Sequence, residues 1–150
     1  RLFPTADALA GLDDGAVGMP RRRAASIRAL ARGVLDGTVD LYATTGPGGR
    51  RQLRDDLGAL PGVGPWTAEV IAMRAGRDPD AFPASDLGIR HAVQRLLRSD
   101  RLPSAAEVEE RAEPWRPFRA LAAQHLWVSL SGVPNRIEPS RTHDGGSPHE

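Results

Sequence analysis

Leu60-Pro61-Gly62-Val63-Gly64-Pro65-Trp66-Thr67-Ala68 decides the fold. A leucine-bearing helical run leads into it from Arg51, and a second run leaves it from Pro65 to Ala75. Two glycines and a proline stand between them, at the spacing of a tight turn. Gly62 and Gly64 allow backbone angles that a side chain resists and let neighbouring atoms approach closely. Pro65 is placed to open the second helix, where its missing N–H forfeits no bond. The expected unit is helix, short hairpin, helix, with free amides at the start of the second helix. Such amides form an anion site, and phosphate is the usual anion. The stretch therefore reads as a clamp on a nucleic-acid backbone.

The chain of 150 residues fits one domain, and 40% hydrophobic residues suffice for a core. No apolar run approaches membrane-spanning length, and no signal-peptide pattern is present, so the sequence reads as soluble and cytoplasmic with no membrane partner. The absence of cysteine excludes disulfides, thiolate zinc sites, cysteine nucleophiles and a cysteine-held iron–sulfur cluster. All 20 basic residues other than histidine are arginine. No lysine amine is available for Schiff-base chemistry. The net charge of +1 does not by itself point to nucleic acid.

No convincing strand pattern appears, so the expected fold class is all-α. Thr5 is placed to cap a short helix, Ala6 to Leu12. Gly18-Met19-Pro20 precedes a helix from Arg21 to Asp36, with Ile27, Leu30, Ala31, Val34 and Leu35 on one face. Arg21, Arg22 and Arg23 open it, either as a solvated end or as phosphate contacts. Leu41 to Arg50 reads as a glycine-rich loop without the lysine of a nucleotide-binding loop. Helix Arg51 to Leu57 follows, with Leu53 and Leu57 inward. After the hairpin, the helix from Pro65 is expected to end at Gly76 as its cap. A turn-rich loop, Arg77 to Ala84, leads to a helix starting at Ser85 or Asp86 with Ile89, Val93, Leu96 and Leu97 as its stripe. Ser104 caps a helix to Ala112 whose glutamates, Glu107, Glu109 and Glu110, face water. The last helix is expected from about Pro117 to Ser131, with Phe118, Leu121, Ala122, Leu126 and Leu130 inward. The domain is expected over 1–133 and a disordered polar tail over 134–150.

Twenty residues after Trp66 comes Asp86, behind a loop bearing proline and at a helix start. Taken alone, Asp86 reads as an N-cap. With the hairpin and loop it is also a candidate catalytic carboxylate.

At these residues the sequence resembles the helix-hairpin-helix-GPD superfamily of DNA glycosylases. The nine-residue hairpin is similar to the alkylpurine branch, 3-methyladenine DNA glycosylase II. So are Arg1-Leu2-Phe3-Pro4-Thr5, Gly18-Met19-Pro20, Phe82 through Arg90, Trp115-Arg116-Pro117-Phe118-Arg119 and His125-Leu126-Trp127. The resemblance runs from Arg1 to about Leu130. It implies the HhH-GPD glycosylase fold lacking its first helices, because the family's earlier helices have no counterpart before Arg1.

The resemblance places the catalytic aspartate on Asp86. Cleaving an N-glycosidic bond builds positive charge on the sugar, and a carboxylate stabilises that charge and orients a water. A helix N-terminus beside it favours the ionised form. The position that holds a Schiff-base lysine in bifunctional branches is Trp66 here, which implies a monofunctional hydrolase that leaves an abasic site. The resemblance implies a base pocket with Trp66 and Trp127 as aromatic walls, where a cationic base is attracted to the ring faces. Each tryptophan also fits a core role, and Trp115 fits structural packing. Two pocket positions that are tyrosine in the family's best-known member fall on Val70 and Leu87. Backbone contacts to DNA are implied at Gly62, Val63, Gly64 and Thr67. A Na⁺ or K⁺ is implied on the carbonyls of Gly58, Leu60 and Val63, with no other cofactor. His91 and His125 read as polar packing residues.

The implied partner is double-stranded DNA with the damaged base flipped out, bound by a monomer, in a bacterial cytoplasm at the nucleoid. The implied function is excision of alkylated purines such as 3-methyladenine. Two alternatives stay open at this point: a DNA-binding module that does not cleave, and a glycosylase for deaminated or oxidised bases.

Overall fold

A computed structural model describes residues 3–13, 15, 18–42 and 46–131. The expected disordered tail from Pro134 lies outside the described residues. Among those described there are seven α-helices and no strand. They are α1 (Ala6–Ala10), α2 (Arg21–Leu35), α3 (Gly46–Gly58), α4 (Pro65–Arg74), α5 (Leu87–Leu97), α6 (Ala105–Ala112) and α7 (Arg119–Leu130), with a 3₁₀ turn (Glu113–Trp115) before the last. None of them is long and apolar enough to cross a membrane.

Local chemistry explains most of the boundaries. The Thr5 hydroxyl accepts from the Ala8 amide at 3.3 Å and starts α1. Ser104 and Glu107 form a reciprocal capping box at α6, satisfying amides that have no partner within the helix. Pro65 opens α4 behind an extended Gly64. Small and aliphatic side chains from five helices then meet in one core: Leu53 and Leu57 of α3, Ala68 and Ala72 of α4, Ile89 and Val93 of α5, Val108 of α6, and Ala123 and Leu126 of α7. Phe82, from the loop before α5, joins them and meets the Trp115 ring edge-on at 6.0 Å between centroids. Trp115 thus packs structurally, as one of its readings had it.

Several expectations need correction. Helix α3 starts at Gly46, so the last part of the expected loop is helical. The glycines and proline there fall in the first turn, where amides have no partner within the helix to lose. Gly76 is not the cap; α4 ends at Arg74 and Ala75 is its C-cap. Gly76 is required because a Cβ would lie 2.7 Å from the Ala72 carbonyl oxygen. Helix α7 starts two residues later than expected, and its inward face is Arg119, Ala123 and Leu126. Phe118 and Leu121 are 62% and 60% exposed. The buried Arg119 guanidinium, which the expected apolar face left out, meets Asp80 and Glu109. Leu96 and Leu97 of α5 and Leu35 of α2 are likewise exposed, because Ala92, Ala24, Ala31 and Gly33 supply the tight contacts on those helices. Glu107 and Glu109 do not simply face water: the first closes the capping box and the second pairs with Arg119 at 2.5 Å.

Candidate active site

The hairpin is built from short backbone bonds. The Leu60 amide donates to the Leu57 carbonyl at 3.1 Å, Val63 to Leu60 at 3.2 Å, and Ala68 to Gly64 at 3.0 Å. Gly62 has φ of 77°, which L side chains rarely adopt. A Cβ there would also lie 2.3 Å from Ser26 Oγ of α2, so Gly62 is fixed by both conformation and space. Gly64, expected to need unusual angles as well, is an extended N-cap with φ of −87°. Leu60 and Val63 turn apolar side chains onto the core. That leaves the hairpin's outer edge to backbone atoms. Of the expected DNA-contacting amides, that of Val63 is already engaged within the turn.

Asp86 caps α5. Its Oδ1 accepts from the Ile89 amide at 2.9 Å and from Trp127 Nε1 at 2.8 Å. Its Oδ2 accepts from Trp66 Nε1 at 2.8 Å. The N-cap reading and the site reading therefore hold together. Three helices converge on one carboxylate: α4 brings Trp66 from its first turn, α5 offers its amides, and α7 brings Trp127 from its far end. Gly88 makes the convergence possible, since a Cβ there would lie 3.0 Å from Asp86 Oδ1 and 3.4 Å from Trp127 Cδ1. Burial pushes the Asp86 carboxyl up, but the Trp127 indole, the Ile89 amide, the Trp66 indole and the Gly88 amide outweigh it. The net effect is to hold the carboxyl below its ordinary 3.8. Every donor is neutral, so the carboxylate keeps its full negative charge.

Trp66 is 46% exposed and Trp127 is half-buried against the core, so both indoles have their N–H on Asp86 and ring surface left over. Val70 lies one turn after Trp66 on α4 and is half-buried. Leu87 adjoins Asp86 but is 57% exposed. Thr67 sits in the first turn of α4, beside the hairpin. The structure thus joins Trp66, Asp86 and Trp127 by direct bonds. His91 is exposed and meets Gln94, and His125 is exposed on α7.

The loop that delivers Asp86 is held by charge pairs the sequence reading missed. Arg54 Nε meets Glu69 Oε1 at 2.7 Å, and its Nη2 meets the buried Asp78 at 2.5 Å. Glu69 Oε2 accepts from the Phe82 amide at 2.9 Å. Burial works against the Arg54 charge, yet Glu69 and Asp78 raise its pKa above the ordinary value. Asp80 takes Arg119 Nε at 2.8 Å and also pairs with Arg116. The available signal was Arg119 at an inward position of the α7 pattern, with Asp78 and Asp80 in the loop to receive charge.

The family described as "HhH-GPD superfamily base excision DNA repair protein" matches residues 1–117. The "Probable bifunctional transcriptional activator/DNA repair enzyme AlkA" of Mycobacterium tuberculosis is 45% identical over 91% of this chain and 26% of its own length. DNA-3-methyladenine glycosylase 2 of Escherichia coli is 32% identical over 89% of this chain and 45% of its own. Among solved structures, the 3-methyladenine DNA glycosylase of Schizosaccharomyces pombe, in complex with abasic DNA, superposes with a TM-score of 0.77 at 26% identity, covering 87% of this chain and 65% of that one. That of Archaeoglobus fulgidus gives 0.72 at 27% identity, covering 87% and 44%. The chain therefore spans about a quarter to under half of the curated relatives just described.

Proposed function

The chain belongs to the HhH-GPD superfamily of base excision DNA repair proteins, and from that premise we propose that it excises alkylated purines, 3-methyladenine among them, from duplex DNA. The observation that carries the proposal is the Asp86 carboxylate, held ionised by two indole N–H groups at a helix start twenty residues beyond the hairpin. The target nucleotide flips out of the stack and its sugar comes to Asp86. As the bond from C1′ to the purine nitrogen lengthens, positive charge grows on the sugar. A full negative charge nearby lowers that barrier, and the lone pairs of Oδ2 not used by Trp66 orient the attacking water. A methylated purine carries positive charge already and leaves without a strong acid. The ring surfaces of Trp66 and Trp127 attract such a base, and Val70 and Leu87 make the remaining wall aliphatic. With no lysine in the chain, the product is an intact strand with an abasic site.

In this reading the hairpin grips the DNA backbone through the amides of Gly62, Gly64 and Thr67. Val63 contributes less, because its amide is committed to Leu60. The carbonyls of Gly58, Leu60 and Val63 suit a Na⁺ or K⁺. They are neutral oxygen donors following the C-terminus of α3, where the helix dipole is negative, and Leu60 keeps one lone pair beyond the bond from Val63. Such an ion would pin the turn and take no part in bond cleavage. The protein works as a monomer wherever the cell keeps its DNA.

The test is release of 3-methyladenine from methylated duplex DNA, with strand cleavage appearing only after alkali. Release abolished by Asp86→Asn supports the reading. Tight duplex binding with no base release would instead support a binding module. Release of only deaminated or oxidised bases from a lesion panel would keep the mechanism and change the substrate.

A further inference from the structure

Helix α2 meets the hairpin apex through Ser26, whose Oγ occupies the space a Gly62 side chain would need. The same hydroxyl donates to the Arg22 carbonyl at 3.1 Å. Arg22 therefore lies one turn before Ser26 on the face of α2 that touches the hairpin. A turn rises about 5.4 Å, and side chains lean toward the N-terminus. Arg23, three residues before Ser26, shares that side. Both side chains are exposed, as is that of Arg21.

These arginines differ from those that hold the fold together. Arg54, Arg101, Arg116 and Arg119 each meet a carboxylate. Among the described residues, Arg21, Arg22 and Arg23 have no acidic partner. Helix α2 carries no acidic residue in its first turn, and Pro20 gives it no side-chain cap. Three positive charges at the positive end of a helix dipole oppose local stability. A sequence that breaks a local rule without compensation in the fold points to function. A phosphate brought beside them supplies the missing compensation.

We propose that Arg22 and Arg23 form a second phosphate-binding element, which extends the hairpin's grip along the backbone of duplex DNA. The element rests on the reading of the hairpin as a DNA clamp. It positions the duplex and reads no base, because guanidinium contacts to phosphate carry no sequence information.

The test is a salt titration of binding to a short undamaged duplex, followed by fluorescence anisotropy. The unaltered chain is compared with the double variant Arg22→Ala/Arg23→Ala, with Arg22→Lys/Arg23→Lys, and with Arg111→Ala as a control at an exposed arginine on α6. The alanine pair is expected to weaken binding tenfold or more and to reduce the slope of log K against log salt by about two, roughly one per lost phosphate contact. The lysine pair should keep most of the slope, and the control all of it. Base release should be unchanged in the Arg111→Ala control. If the alanine pair matches the control while Gly62→Ala abolishes binding, the hairpin clamp stands and the arginine element is overturned. If the unaltered chain does not bind duplex, both readings fall.

Discussion

Asp86 and the pair Asp78–Asp80 lie within one short loop and its end, yet their environments are opposite. Asp78 and Asp80 face guanidinium groups, from Arg54 and Arg50 for the first and from Arg116 and Arg119 for the second. Each charge is cancelled where it stands, and the pairs hold the loop against α3 and α7. Asp86 receives only neutral donors, two indoles and the amides at the start of α5. Such donors fix the geometry and favour the ionised form without cancelling the field. Cancelled charge suits scaffolding, whereas fixed but uncancelled charge suits a transition state that turns positive. The Arg-paired carboxylates thus serve the bare one by delivering it.

The sharpest way to break this contrast is Asp86→Asn. Asparagine still caps α5, so the fold should persist, while the field at the sugar disappears. Base release should fall about 10³-fold, the scale of losing a principal electrostatic contact to a transition state. Single-turnover release with matched circular dichroism is the measurement. Activity within about tenfold of the unaltered chain would place the chemistry elsewhere.

The paired side of the comparison predicts a stability effect instead. Arg119→Met keeps length and removes the charge that is 5% exposed. It leaves Glu109 unpaired and Asp80 with Arg116 alone. Loss of a buried partner of this kind costs about 3 kcal/mol. Urea unfolding should show it, and base release by the molecules that stay folded should change little.

How far the sequence carries differs between these two regions for a physical reason. The hairpin and Asp86 were legible because backbone rules are local. Gly62 must be glycine for its φ, Pro65 must open a helix, and Asp86 must cap one. The spacing of Trp66 and Asp86 then carried the family resemblance. The indole bonds were not legible, because a tryptophan at a site wall and a tryptophan donating to a carboxylate give the same residue at the same position. The Arg54, Asp78, Asp80 and Arg119 pairs connect elements far apart in sequence. Reading each helix by its apolar stripe put Phe118 in the core and gave Arg119 no role, whereas Phe118 is exposed and Arg119 is buried. An apolar pattern cannot register a guanidinium that is buried because carboxylates from other elements reach it.

Trp127→Phe sharpens the contrast from the donor side. It removes one neutral bond to the carboxylate and keeps the ring. A hydrogen bond to a charged group contributes about 1.5 kcal/mol or more, so release should fall about tenfold. The sign in pH follows from the depressed Asp86 value. The ionised form is complete above the ordinary 3.8 and is lost as pH falls through the lower folded value. Removing a donor lifts that value, so the acid limb of the release profile should move to higher pH. An unshifted limb with lowered release would mean that the indole acts on the base alone.

The smallest effect comes from a third carboxylate, Glu107, which is paired with Arg101 on the surface and closes the capping box of α6. The Arg101 guanidinium, followed by the Ser104 amide and hydroxyl, holds it down to about 2 from an ordinary 4.5. A depressed value means that its contribution to stability is present above 4.5 and is lost as pH falls through about 2. Exposure lets solvent and salt screen the pair, so the contribution is small. Glu107→Gln keeps an acceptor for the capping box and should lower the Tm slightly at neutral pH, with the difference closing near pH 2 and base release unchanged throughout. Its carboxyl should titrate near 2 by NMR. A value near 4.5 would mean that the surface pair does not persist in solution. Neutralisation by arginine would then belong to the pairs in which one partner is buried, Arg54 with Asp78 and Arg119 with Asp80.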